Sequence, residues 1–289
     1  MMALSWEPVS RQVLKSRLVT GKNLANLFRN TGSYGVKTMI TETNFASWPT
    51  GAKDDLVQAL TDQYLESADA EDLDLRALLA DERLGRLALL SSFGAESMVM
   101  IHLITSIRRE TPVLFLDTGQ HFPETLDYVQ HVKEALGLNL HIIKPNADLA
   151  ASEDPEKTLH LSNPNQCCML RKSLPLGDAL QDYDTWITGR KRFHGGLRSF
   201  MPVIERDGSH LKINPLARWS KDRVETYFYE HELPRHPLER FGFASIGCAP
   251  CTVPVSEGQG LRDGRWADMP SKFECGIHLS PDGGLVRSS

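Results

Sequence analysis

Short apolar runs that alternate with helical stretches constrain the fold of this chain more than any other feature. Four of these runs are too short for helices and have the continuous hydrophobicity of strands buried on both faces. They are Gly85–Leu90, Val113–Leu116, Leu140–Ile143 and Thr185–Thr188. Helical patterns lie between them, at Met98–Ile107 and from Pro123 to about Leu136. The alternation predicts an α/β fold with a doubly wound, mostly parallel sheet.

A turn of small residues follows the first run. It leads directly into a helix and reads Ser91-Ser92-Phe93-Gly94-Ala95-Glu96-Ser97. Backbone N–H groups and the helix dipole favour an anion at such a turn, so we expect a phosphate cradle there. The turn lacks the lysine of a Walker A loop and any G-x-G-x-x-G pattern, and a plain turn capped by serines is the alternative.

Two further turns follow strands that end at the same edge of the predicted sheet. The first spans residues 117–121, where Asp117 is either a simple turn acid or a partner for a bound nucleotide. In the second, four cations fall within nine residues, Arg190–Arg198, among glycines. Charge runs are commonly solvated surface. Ligands bind beyond the carboxyl ends of parallel strands, however, which favours an anion site here.

Four cysteines form two closely spaced pairs, Cys167-Cys168 and Cys248-x-x-Cys251. Neighbouring cysteines are poorly placed to form a disulfide with each other. Four thiolates suit either tetrahedral zinc or an iron–sulfur cluster, and a set of buried free cysteines is the bland alternative. Lys172 follows Cys168 by four positions, so a helix would place both on one face. A cation there would lower the pKa of the thiols or moderate a negatively charged cluster, and an ordinary solvated lysine is the alternative.

The fifth cysteine, Cys275, lies in a C-terminal stretch that is rich in glycine, proline and aspartate. Few apolar anchors remain after Cys251, so residues 252–289 are expected to form a mobile tail. A cysteine on a flexible segment, with His278 three residues further on, is placed for chemistry rather than packing. An incidental surface thiol is the alternative.

Composition limits the class of protein. The 289 residues are 41% hydrophobic and 24% charged, as in ordinary globular proteins, and the formal charge of −5 argues against nucleic-acid binding. No apolar run is long enough to span a bilayer, so no membrane association is expected. An odd number of cysteines fits a reducing compartment, and we expect a cytoplasmic protein.

The N-terminal region differs from the rest of the chain. Residues 1–38 carry six basic residues against one acid, Glu7, which is the composition of a transit peptide or of a leader upstream of a true start at Met39. We expect residues 1–50 to be an N-terminal extension, either disordered or a misannotated start, and residues 1–38 to play no part in catalysis. Residues 51–84 have a helical pattern, and residues 145–166, rich in asparagine, proline and aspartate, are predicted to be a surface loop.

Together these motifs resemble the assimilatory adenylyl-sulfate and phosphoadenylyl-sulfate reductases, which have the PP-loop (adenine nucleotide α-hydrolase-like) fold. The resemblance covers about residues 85–280. Its most specific element is Glu274-Cys275-Gly276-Ile277-His278. It implies a reductase domain at residues 51–251 and a tail at 252–289 that carries the catalytic cysteine.

The resemblance also implies the cofactor, the substrate and the partners. Members with both cysteine pairs hold a [4Fe-4S] cluster, so Cys167, Cys168, Cys248 and Cys251 are the expected metal ligands. Such members usually reduce adenosine 5′-phosphosulfate; reduction of the 3′-phosphorylated substrate, or of both, is the alternative. The chain ends too soon for a thioredoxin-like domain, which implies an external thioredoxin or glutaredoxin. A homo-oligomer is expected.

In the mechanism that the resemblance implies, the Cys275 thiolate attacks the sulfate sulfur, AMP leaves, and thioredoxin releases sulfite from an S-sulfocysteine. Lys172 and His278 are the other expected catalytic-site residues. The expected substrate contacts are Ser91, Ser92, Phe93, Gly94, Ser97, Asp117, Gly119, Arg192, Arg198, Arg262 and Arg265.

Two departures from the family pattern bear on rival functions. The basic stretch reads Gly-Arg-Lys-Arg-Phe-His-Gly-Gly-Leu-Arg, where many members have Gly-Leu-Arg-Arg-x-Gln-Ser, so the cation that binds each phosphate is open. The loop also lacks the Ser-Gly-Gly-x-Asp-Ser sequence of ATP-using PP-loop transferases, which disfavours that function. A non-enzymatic metal-binding module, with Cys275 incidental, is a further alternative.

Overall fold

One six-stranded sheet forms the centre of the protein in a computed structural model, which describes residues 50–65, 73–269, 272 and 274–277. The strands are β1 Leu87–Leu90, β2 Val113–Leu116, β3 Leu140–Ile143, β4 Thr185–Thr188, β5 Ile204–Asp207 and β6 His210–Ile213. Their order is β3-β2-β1-β4-β6-β5, and all neighbours are parallel except the antiparallel pair β5 and β6. The predicted α/β fold with a mostly parallel sheet is confirmed.

The described helices precede, connect and follow these strands. They are α1 Thr50–Tyr64, α2 Leu75–Leu79, α3 Ser97–Ile107, α4 Pro123–Leu136, α5 Ala147–Glu153, α6 Leu159–Ser162, α7 Pro164–Cys168, α8 Leu174–Leu180 and α9 Lys221–Glu230. Pro123 occupies the first turn of α4, and the Ser220 side chain caps α9 by accepting a hydrogen bond from the backbone N–H of Arg223. Within the described ranges no helix combines the length and the hydrophobicity that a bilayer crossing requires.

Two parts of the fold differ from the expectation. Residues 145–166 are not a loop, because α5, α6 and α7 lie there; the Asn146 and Asn163 side chains, which read as loop formers, cap α5 and α7. The hairpin of β5 and β6 was not foreseen. It buries Lys212, whose ammonium donates to Asp207 at 2.8 Å, so its sequence lacks an apolar pattern.

The strand order places a crevice at one edge of the sheet. After β1 the chain builds β2 and then β3 on one side, and it returns to form β4 on the other side of β1. Helices and loops diverge where the strand order reverses, so a crevice opens beyond the carboxyl ends of β1 and β4. The expectations about residues 1–38, and most of the N-terminal extension, lie outside the described residues.

Candidate active site

A cleft lies at this reversal point. The turns that follow β1 and β4 line it, together with residues 244–247 and the described part of the C-terminal segment. Nine residues that the sequence singled out line this cleft: Ser91, Ser92, Gly94, Ser97, Lys172, Arg198, Arg262, Arg265 and Cys275. They come from both ends of the domain, and the sheet topology brings them to one place.

Four other predicted contacts do not line the cleft. Phe93 is fully buried and packs edge-on against Phe115 in the core, with ring centroids 5.4 Å apart. Asp117 accepts from the backbone N–H of Gly119 at 3.0 Å, and Arg192 Nε donates to a backbone carbonyl 2.9 Å away. Phe93, Asp117 and Arg192 thus have local partners, and Gly119 belongs to the turn that Asp117 stabilises. A role of these four residues in substrate binding stays a prediction. His278 lies outside the described residues.

The turn after β1 is built from small side chains in close contact. Ser91 Oγ accepts a hydrogen bond from the Phe93 backbone N–H at 3.1 Å, and Ser92 Oγ lies 3.3 Å from Ser97 Oγ. A Cβ on Gly94 would approach the Ile246 carbonyl to 2.9 Å, so this position requires glycine. The turn therefore presents backbone and hydroxyl groups, without a lysine of its own, at the start of α3.

Glu96 gathers two basic residues from the turn after β4. Its Oε2 lies 2.8 Å from Lys191 Nζ and 2.9 Å from His194 Nε2. Burial opposes ionisation of Glu96, but His194 and Lys191 together lower its pKa to about 2. The Lys191 side chain is only 3% exposed, and burial lowers its pKa. The negative charge of Glu96 raises this pKa but does not outweigh burial. The cluster links the two turns through charge.

A second acid, Glu274, gathers two arginines beside the predicted nucleophile. Arg198 Nε and Nη2 donate to its two oxygens at 2.5 and 2.9 Å, and Arg262 Nη2 lies 3.4 Å away. Burial raises the pKa of Glu274, but the two guanidiniums outweigh it and the pKa is lowered. Arg198 Nη1 also lies 3.2 Å from His194 Nδ1, so both acidic clusters are connected.

Cys275 is half-buried between two anchors. Glu274 precedes it, and the carbonyl of Gly276 accepts from Ser173 Oγ at 3.0 Å. Lys172 directly precedes Ser173, the residue that holds Gly276. Burial disfavours the charged form of Lys172, but the sulfurs of Cys248, Cys275 and Cys168 outweigh it and raise its pKa. A thiolate at Cys275 would thus be paired with an ammonium.

Arg265 also lines this cleft. Its guanidinium packs so closely on Gly247 that a Cβ there would lie 2.3 Å from Nη2. The buried Nε of Arg265 makes no hydrogen bond to any residue in the described part of the chain. A buried charged donor without a partner is costly, and the arginine as a whole adds positive charge to the wall of the cleft, which suits an anionic ligand.

The two cysteine pairs meet beside Lys172. Cys167 and Cys168 end α7 and are followed by a π-helical turn, Met169–Ser173; Cys248 and Cys251 bracket a single 3-10 turn. Burial and the neighbouring sulfurs raise the pKa of Cys167 to about 12. Burial also raises the pKa of Cys168, to about 11, against the charge of Lys172.

Cys248 is the exception among these thiols. Burial raises its pKa, but Lys172 and the 3.4 Å contact with Thr118 Oγ1 outweigh burial, so the pKa is lowered. In the described ranges no three His, Cys, Asp or Glu side chains converge closely enough to hold a single metal ion. The four thiols influence one another's charge and lie near Lys172, and soft sulfur donors of this kind would suit an anionic iron–sulfur cluster.

Sequence reasoning missed the two acids that organise the cleft. Glu96 stood within the first turn, and Lys191 and His194 within the basic run, but nothing local distinguished them from their neighbours. The available signal was chemical: an acid inside a turn predicted to bind an anion needs a cation of its own. Glu274 carried the same signal beside Cys275.

Comparisons with known proteins agree with one another. The family model of the phosphoadenosine phosphosulfate reductase domain matches residues 86–254. An adenosine 5′-phosphosulfate reductase of Chelativorans sp. is 45% identical over 196 residues, which cover 68% of this chain and 80% of the relative. Another, from Mesorhizobium japonicum, is 44% identical over 218 residues, covering 75% and 84%. Among solved structures, a Candida auris phosphoadenylyl-sulfate reductase in a phosphate complex has a TM-score of 0.57 at 28% identity, covering 72% of this chain and 98% of that chain.

Proposed function

Because the chain belongs to the phosphoadenosine phosphosulfate reductase family, we propose that it reduces adenosine 5′-phosphosulfate to sulfite and AMP. The observation that carries this proposal is the position of Cys275 in a cleft with Lys172, Arg198, Arg262 and Arg265. A thiol beside several cations, at the edge of the sheet where nucleotides bind, suits attack on an anionic sulfur centre.

The first step is a transfer of SO3 to Cys275. The thiolate donates an electron pair to the sulfate sulfur, an S–S bond forms, and the bond from sulfur to the bridging oxygen breaks. AMP leaves with that oxygen and its electron pair. Lys172 and the cleft arginines would stabilise the charge on the sulfate oxygens throughout the step.

The second step needs two electrons from an external dithiol, which we assign to thioredoxin or glutaredoxin. One thiolate of the partner attacks Cys275 Sγ, so the S–S bond to the SO3 group breaks and sulfite leaves. The mixed disulfide is then resolved by the second thiol of the partner. The half-buried Cys275 lies on the C-terminal segment, whose proposed mobility would expose the sulfur to a protein.

Cys167, Cys168, Cys248 and Cys251 would hold the [4Fe-4S] cluster. When bound, the cluster supplies a rigid and negatively charged centre beside Lys172, and the dithiol supplies the electrons. Lys172 would interact with the charge of this centre and of Cys275, because the sulfurs of Cys248, Cys275 and Cys168 raise its pKa. Replacing Cys248 with Ser tests this assignment, because it should lower iron and sulfide content and the brown absorbance of the purified protein.

The substrate and the intermediate are tested together. The protein is mixed with adenosine 5′-phosphosulfate without any dithiol, and intact mass spectrometry should show one added SO3 group. The Cys275→Ser variant should show none while it keeps its iron content. Sulfite release is then compared for the substrates with and without the 3′-phosphate; no adduct with either would refute the proposal. Gel filtration and fractionation would test the expected homo-oligomer and cytoplasmic location.

A further inference from the structure

His194 occupies a bridging position between the two acidic clusters. It ends the 3-10 turn Arg192–His194 that follows β4, and its side chain is only 11% exposed. Its Nε2 lies 2.9 Å from Glu96 Oε2, and its Nδ1 lies 3.2 Å from Arg198 Nη1. Both ring nitrogens are therefore engaged, one by an acid and one by a guanidinium.

The chemistry of these two partners fixes the protonation of the ring. A guanidinium has donors only, so Nδ1 must accept from Arg198. A neutral imidazole carries one N–H, so the proton lies on Nε2, which faces the Glu96 carboxylate at 2.9 Å. His194 is therefore the neutral Nε2–H tautomer whenever this arrangement exists. A second proton would convert Nδ1 into a donor that faces another donor.

The charged groups around the ring favour the neutral form. Burial lowers the pKa of His194, and the positive charges of Lys191 and Arg198 lower it further. Glu96 raises it, but Glu96 is shared with the ammonium of Lys191. The Phe193 ring packs against the imidazole with centroids 4.7 Å apart. Neutral pH therefore leaves His194 able to accept from Arg198.

We propose that neutral His194 is a positioning residue, which holds the Arg198 guanidinium at the cleft so that Arg198 orients both the bound sulfonucleotide and, through Glu274, the Cys275 segment. The inference rests on the proposed function. Protonation of His194 turns its bond to Arg198 into repulsion between two N–H groups and releases the guanidinium. Binding is fully present above the pKa of His194 and weakens as the pH falls through it.

The test measures binding in a background without turnover. Full-length, cluster-loaded Cys275→Ala protein is titrated with adenosine 5′-phosphosulfate by calorimetry. Its Kd should rise as the pH is lowered from about 7.5 towards about 5, by up to about ten-fold where His194 becomes protonated, since a charge-assisted contact is lost. His194→Gln keeps one acceptor and one donor but no titratable proton, so its Kd should change by no more than about two-fold over this range.

Two further variants make the result specific. His194→Leu, which cannot accept from Arg198, should bind about ten-fold more weakly at both pH values. His141→Gln removes an exposed histidine at the sheet edge and should follow the parent. An acid-side loss in His194→Gln equal to that of the parent would overturn the proposal. Parent-like binding by His194→Leu would overturn it as well.

A spectroscopic readout does not depend on the substrate. Nitrogen–proton correlation spectra of the imidazole rings should show the Nε2–H tautomer for His194, with an unprotonated Nδ1 that accepts a hydrogen bond. An Nδ1–H tautomer would contradict the proposal directly. If the spectra give the expected tautomer while no variant binds the sulfonucleotide at any pH, the bond between His194 and Arg198 stands and the proposed substrate is wrong.

Discussion

Replacing Glu274 with Gln tests whether the carboxylate beside Cys275 holds the nucleophile in place. Glu274 and Arg198 each have side chains only 14% exposed, and two bonds at 2.5 and 2.9 Å join them. Arg262 adds a third contact at 3.4 Å. Gln keeps one neutral acceptor but turns an NH2 group toward the guanidiniums. With about 1.5–3 kcal/mol for each charged hydrogen bond, we expect a net loss of about 3 kcal/mol.

This loss should appear in the chemistry more than in global unfolding. The contact holds a short segment against the cleft, so weakening it lowers the fraction of molecules in which Cys275 lies over the substrate. A loss of about 3 kcal/mol corresponds to a decrease of about 100-fold in kcat/KM for formation of the SO3 adduct. Iron content and the midpoint of thermal unfolding should stay close to those of the parent.

The assay is single-turnover formation of the Cys275 adduct, followed by rapid quench and intact mass. Glu257→Gln is the matched control, because it makes the same change at an exposed position of the same C-terminal segment. It should react at the parental rate. If Glu274→Gln also reacts within about two-fold of the parent, the contact holds nothing that the reaction needs.

Two other predictions follow from the same cleft. Lys191→Met leaves Glu96 buried without its ammonium, which should cost about 3 kcal/mol and lower the melting temperature by roughly 6–12 °C. The pKa of Glu96 is lowered to about 2, so its contribution to folding stability is present above its unfolded pKa of about 4.3 and is lost as the pH falls through about 2. Thermal scans at several pH values should therefore show a smaller drop in melting temperature at acid pH in the variant than in the parent. Gly247→Ala places a methyl group 2.3 Å from Arg265 Nη2, so we expect about ten-fold weaker sulfonucleotide binding by calorimetry. Gly177→Ala, where a methyl group meets nothing within 4 Å, should bind as the parent does.

The sheet edge that carries the site could be predicted because its signals are local. Each strand is a continuous apolar run, and a parallel sheet places the carboxyl ends of such strands at one edge. The turns after β1 and β4 therefore had to lie at that edge, although about 90 residues separate them. The two cysteine pairs could be recognised from their close spacing in the sequence. Cys275 could be singled out because it lies outside both pairs, in a segment rich in glycine, proline and aspartate, with His278 three residues further on.

The pairing of charges within the cleft could not be predicted in the same way. In a run such as Arg190–Arg198, each cation has the same local appearance, and the fold decides which one faces Glu96. Phe93 shows a second limit of sequence-based prediction, because a residue in a turn that lines the cleft need not face the cleft. It stands inside a turn that lines the cleft, but its backbone has a φ of 49° and its ring turns into the core against Phe115. Side-chain direction at a turn depends on backbone geometry that residue type does not reveal.

The two acids divide the cations of the cleft into groups with different tasks. Glu96 neutralises Lys191 in the interior, so this lysine supports the turns and adds little to the attraction of a bound anion. Glu274 shares the guanidiniums of Arg198 and Arg262, which are also the expected ligands of the sulfonucleotide. Ligand binding and the position of the nucleophile segment are therefore linked.

The linkage is reciprocal, and its sign can be measured. If the anion takes the guanidiniums away from Glu274, substrate binding releases the segment, and Glu274→Gln should bind substrate more tightly while it reacts more slowly. If the anion binds beside the carboxylate on the remaining donors, the same change should weaken binding and slow the reaction together. Arg265 favours the second arrangement, because it also lines the cleft and offers the anion a cation that Glu274 does not share.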